Sequence, residues 1–122
     1  MNGILLWIAA ITMVLTAVTH SIFGERRLIM PLLTLHEGVM ARQLSRDVMR
    51  LAWHGTSILL AALAYVLAYQ ALHPALAQRP VVAAIGVAMT GFGVLDALIS
   101  KGRHIGWPLL TLSGVCALAA LY

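Results

Sequence analysis

LLWIAAITMVLTAVTHSIF, Leu5 to Phe23, runs for nineteen residues without a charged side chain. A helix needs about 20 apolar residues to cross the hydrocarbon core of a bilayer, so this stretch is long enough to do so. Three more runs of similar length follow: Leu51 to Leu72, Val81 to Ile99 and Ile105 to Tyr122. The only Asp, Glu, Lys or Arg within them is Asp96. The expected fold is therefore an all-α integral membrane protein, a single domain over 1–122. Four transmembrane helices, at about 4–23, 48–72, 80–99 and 104–122, form a bundle of two helical hairpins.

Composition supports this reading. The chain has 122 residues, 61% hydrophobic and 10% charged, with a mean hydropathy of +0.94. A soluble domain of this size cannot build a polar shell from so few charges. The N-terminal run follows Met1-Asn2-Gly3, which has no basic residue, and is long for the apolar core of a signal peptide; it reads as the first span. The net charge of +4 does not imply nucleic acid, because the basic residues occupy the connections and leave no basic surface on the spans. The single cysteine, Cys116, lies within the fourth run and reads as a small apolar packing residue.

Charge distribution sets an expected orientation. Arg26, Arg27, Arg42, Arg46 and Arg50 lie in or beside the first connection, and Lys101 and Arg103 lie in the third, whereas the second holds only Arg79. The positive-inside rule then puts the first and third connections in the cytoplasm and both termini outside, in the periplasm if the membrane is a bacterial inner membrane. Trp7, Tyr69 and Tyr122 fall at the outer interface, and Phe23, Trp53 and Trp107 near the inner one, as aromatic belts do.

The connections carry turn chemistry. Gly24 can end the first helix, and Pro31 blocks its continuation. Thr34 followed by Glu37 is a capping-box pattern that predicts a short interfacial helix over 35–44 in the first cytoplasmic loop. Ser45 is positioned to cap the second span. Pro108 either starts or kinks the fourth helix. Small residues recur at helical spacing in the third span (Ala83, Gly86, Thr90, Gly93, Ala97) and the fourth (Ser113, Ala117, Ala120), a pattern that lets helices approach closely in lipid. Thr12, Thr16 and Thr19 share one face beside His20. They can serve packing alone, or line a polar cavity.

Five polar residues collect at the cytoplasmic helix ends: His20, Glu25, His54, Asp96 and His104. A charged group at mid-membrane costs roughly 3 kcal/mol on insertion scales, less near the interface, so such a cluster is a candidate site. His20, Glu25, His54 and His104 offer imidazole and carboxylate ligands for a divalent metal. His20 and His54, on adjacent spans, could ligate a haem. His54 and Asp96 are the candidate general bases if the protein is an enzyme acting on a lipid-like substrate at the inner leaflet. Arg26, Arg27 and Arg50 are positioned to meet an anionic headgroup or ligand. No metalloprotease, Cys-x-x-Cys or haem-attachment motif accompanies them. The leading expectation is a non-catalytic transport, ligand-binding or accessory membrane protein. It would be a homo-oligomer or complex subunit, since four short spans enclose little volume alone. Metal- or haem-dependent redox work and lipid-directed catalysis are the alternatives.

Overall fold

A computed structural model describes residues 1–122. The chain is helical throughout, without strands. Helix α1 (Gly3–Gly24) starts at Asn2, whose side chain accepts hydrogen bonds from the Ile4 and Leu5 amides. This satisfies two of the donors that every helix start leaves free. The helix does not end at Gly24. It widens into a π turn over Glu25–Ile29 and runs on through a last turn, α2 (Met30–Leu33). The Met30 amide bonds to the Glu25 carbonyl five residues back. Pro31 has no amide to donate and cannot join a regular ladder. It is accommodated directly after the widened turn, and the apolar path extends over Gly3–Leu33.

The first loop departs from expectation at a second point. Thr34 donates its hydroxyl back to the Pro31 carbonyl at 2.7 Å, closing α2 rather than capping a following helix. The interfacial helix expected over 35–44 is absent, and a single 3-10 turn, Gly38–Ala41, takes its place. Gly38 lies at φ +54, where a side chain is strained. Helix α3 (Gln43–Leu72) then begins before Ser45, which is not its cap. Gln43 donates to Asp47 and accepts from Arg46, closing the first turn with side chains.

The second connection is a tight 3-10 turn, Pro74–Leu76, leading into α4 (Arg79–Ser100). Buried Gln70 accepts from the Gln78 amide at 2.7 Å and ties that turn to α3. Helix α4 ends in a Schellman arrangement: Gly102 donates to the Ala97 carbonyl and Lys101 to that of Leu98. Lys101 occupies the left-handed position there, at φ 52. Helix α5 (Trp107–Ala119) has 13 residues and is shorter than the run expected over 104–122. Pro108 sits in its first turn and so starts the helix. Three helices are long and apolar enough to cross a membrane, and α5 is a shorter apolar helix.

The hairpins pair α1 with α3 and α4 with α5, and α1 packs on α5 to join them; α3 and α4 barely touch. One core holds the end of the molecule that carries both termini. It is built from Leu6, Ala9, Ala10 and Met13 of α1, Ala64 and Leu67 of α3, Val82 and Ile85 of α4, and Cys116, Ala117 and Ala120 of α5. Buried Ser113 donates to the Ala9 carbonyl at 2.8 Å across the α1–α5 seam. The α4–α5 seam is closer still. A Cβ on Gly114 would overlap the Thr90 backbone, and one on Gly93 would overlap Thr111. The small-residue pattern of the sequence thus brings two backbones together. Toward the opposite end α3 and α4 diverge, and the interior opens.

Candidate functional site

The five polar residues divide into two groups, one on each side of the α1–α3 seam. The continuous α1–π helix and the antiparallel α3 build the first group. Glu25, on the π turn, accepts from Arg50 at 2.7 Å and from His54 Nε2 at 3.1 Å. With Nε2 donating to the carboxylate, a neutral His54 presents Nδ1 as an acceptor, and the Ser21 hydroxyl donates to it at 2.7 Å. The order serine, imidazole, carboxylate resembles a nucleophilic relay. Ser21 lies inside α1, however, and its neighbouring amides are committed to the helix ladder. Those amides are not free to stabilise an oxyanion. What this group does is fasten α1 to α3, and the π turn aims Glu25 at both partners.

The second group lines a cavity of about 680 Å³ at the end opposite the core. His20 lies flat on Trp53, with ring centroids 4.2 Å apart and planes 11° from parallel. The Trp53 indole donates to the His20 carbonyl at 3.1 Å. Thr56 gives its one proton to the Trp53 carbonyl at 2.6 Å, so in the 2.9 Å contact with His20 it is Nε2–H that donates. His20 Nδ1 makes no hydrogen bond within the protein. Gly24 permits the arrangement, since a Cβ there would overlap the indole.

Across the cavity, His104 Nδ1 meets Asp96 Oδ2 at 2.6 Å. This short bond joins the last turns of α4 to the connection before α5. Asp96 makes no ion pair with Lys101, Arg103 or Arg50. Arg27 and Arg103 also line the cavity, with Arg27 held over the Phe23 ring at 5.1 Å. Below this polar rim the walls are apolar, with Leu60 and Leu63 on one side, Met89 and Phe92 on the other, and Leu110 between them. Thr16 and Thr19 line it too, while the hydroxyls of Thr12, Thr16 and Thr19 donate to carbonyls of their own helix.

The four residues expected as metal ligands are not gathered together. His20 stacks on Trp53 and His104 is held by Asp96, which leaves Glu25 and His54 as a pair; no three His, Cys, Asp or Glu side chains are grouped to hold a metal ion. As a candidate general base, His54 has both ring nitrogens engaged by Ser21 and Glu25, and Asp96 is bonded to His104. Of the three arginines expected to meet an anion, Arg27 faces the cavity, Arg50 is committed to Glu25, and Arg26 lies outside the lining.

Sequence reasoning missed Trp53, Thr56 and Ser21 as site residues and did not count Arg103 among the anion-facing cations. One signal was available: residues of an antiparallel hairpin recede from the turn at equal rates, which puts Glu25 level with Arg50 and His20 level with Thr56 without saying which faces meet. Comparison with known protein families, with characterised proteins and with solved structures gave no match.

Proposed function

We propose that this chain is a small membrane-embedded binding protein. Its ligand is an amphiphile whose apolar part lies between α3 and α4 and whose polar group meets His20, Arg27, Arg103 and the Asp96–His104 pair. The observation that carries this reading is the cavity. Its volume of about 680 Å³ falls within the ~300–1,000 Å³ of small-molecule sites, and it combines apolar walls with a few polar groups at one end. A polar solute has no use for the leucine-lined depth, and a purely apolar one none for the rim.

Membrane insertion is part of the proposal. Large apolar side chains project outward along the helices: Leu51, Ile58, Leu59 and Tyr65 on α3, and Val87, Phe92, Leu98 and Ile99 on α4. So continuous an apolar exterior is favourable against acyl chains and a liability in water. We read α5 as the fourth span, with the bilayer thinned around it or the turn at 120–122 completing it, as short spans are accommodated. The orientation follows the arginine asymmetry: both termini outside, the cavity rim at the inner leaflet of a bacterial inner membrane. Exposed Leu59 and Phe92 flank the gap between α3 and α4, which gives a ligand dissolved in the bilayer a lateral way in. The reading does not depend on an oligomer, because one chain frames the cavity unaided.

The test is extraction and mass-spectrometric quantitation of amphiphiles from the detergent-purified protein. Wild type is expected to retain one amphiphile per chain. The cavity-filling pair Leu63→Trp and Met89→Trp is expected to lose it while the helical content stays unchanged. A wild type without stoichiometric ligand, or retention undiminished in the filled variant, would contradict the proposal.

A further inference from the structure

Resting on the reading of the cavity as an amphiphile site, we infer that the ligand's polar group is an oxyanion on a single-chain amphiphile, of the fatty-acid type, and that Arg27 and Arg103 hold it from the two sides of the rim. Counting the charges at the rim leads to this assignment. Three contacts join carboxylates to basic side chains: Arg50 and His54 on Glu25, and His104 on Asp96. The two remaining acids are elsewhere: Glu37 is in the first loop, and Asp47 bonds to Gln43 in the first turn of α3. Arg27 and Arg103 are thus cations facing the cavity with no carboxylate partner, and the one carboxylate on its lining, Asp96, is already occupied by His104.

The local geometry suits an anion further. The Arg27 guanidinium lies over the Phe23 ring, its carbon 5.1 Å from the ring centroid, a contact that leaves its N–H groups for a ligand. A guanidinium edge matches the two oxygens of a carboxylate or phosphate, and such charge-assisted bonds are shorter and stronger than neutral ones. The two arginines come from separate elements, α1's π turn and the α4–α5 connection, so an oxyanion between them bridges the two hairpins where α3 and α4 fail to meet. A neutral headgroup would offer the two guanidiniums no anionic acceptor. The cavity's size suits one chain rather than a whole two-chain lipid.

The experiment is equilibrium binding of radiolabelled palmitate and of hexadecanol to the detergent-solubilised full chain by scintillation proximity. The two probes have the same chain length and differ in the anionic group. Palmitate is expected to bind saturably and at least about tenfold more tightly than hexadecanol, the difference one or two charge-assisted bonds supply. The exposed pair Arg27→Gln and Arg103→Gln should abolish that preference, and Arg27→Lys with Arg103→Lys should keep most of it. Equal affinity for the two probes, or a preference that survives the glutamine pair, overturns the oxyanion assignment and leaves the cavity reading standing. Absence of saturable binding by either probe, or binding untouched by Leu63→Trp, overturns the cavity reading and the assignment with it. Displacement of most of the bound palmitate by equimolar phosphatidylglycerol, which shows that the site prefers a two-chain lipid, overturns the single-chain assignment.

Discussion

Trp53 is the residue on which the cavity wall depends. Its ring stacks on His20, its indole nitrogen holds the His20 carbonyl, and its own carbonyl receives Thr56. Gly24 makes room for it. Gly24→Leu is therefore expected to displace the indole and destabilise the protein by about 1–3 kcal/mol, the usual cost of overpacking. Thermal unfolding in detergent measures this, and a quenched or red-shifted Trp53 emission in a Trp7→Phe, Trp107→Phe background reports the displacement. An unchanged melting temperature and spectrum would show that Gly24 has no such role. On the other side of the seam, Ser21 and His54 share one hydrogen bond. A double-mutant cycle with Ser21→Ala and His54→Ala should return a coupling of about 0.5–1.5 kcal/mol, and a value near zero would contradict the bond. The sequence marked His20, Glu25, His54, Asp96 and His104 because ionisable groups near a span are costly. It could not sort them into pairs, since sorting requires the rotation of each helix about its axis, which the periodicity of a nearly all-apolar span does not encode.

At the scale of elements, apolar run length located all four helices, and turn residues located their ends less well. Pro31 read as a terminator because a proline cannot join an α ladder. The π turn before it removes that conflict, and nothing in Glu25–Ile29 announces such a turn. Thr34 and Glu37 matched a capping box, yet Thr34 reached its own helix first. Small residues were the more reliable guide. Gly93, in the expected pattern, meets Thr111, and Gly114, which the pattern did not include, faces the Thr90 backbone, which cannot yield as a flexible side chain can. Gly114→Ala should cost about 1–3 kcal/mol, whereas Gly91→Ala, with open space around it, should be neutral or stabilise by up to about 1 kcal/mol. Equal effects of the two in thermal unfolding would mean that α4 and α5 do not approach as described. Lys101 holds a left-handed conformation that glycine adopts without strain. Lys101→Gly should raise stability by about 1 kcal/mol, and a loss would argue against the Schellman ending of α4.

For the whole molecule, packing is uneven from end to end. The half with the termini is filled by Leu6, Met13, Leu67 and Val82, all essentially buried, and the other half is left open. This asymmetry was not legible in the sequence, where leucine, alanine and valine are spread along every span. Only their arrangement, with α3 and α4 apart, shows which end is hollow. The proposed four-span orientation is open to labelling. In a Cys116→Ala background, a cysteine at Gln78 should react with a membrane-impermeant maleimide from outside intact cells, and one at Lys101 should be protected; the reverse pattern would invert the topology. The central claim is that the gap between α3 and α4 holds an amphiphile. It is tested most directly by cryo-electron microscopy of the full chain in lipid nanodiscs with an antibody fragment bound. The account predicts elongated density between Leu63 and Met89, with its head between Arg27 and Arg103. A structure in which α3 and α4 close on each other and leave no cavity would contradict it.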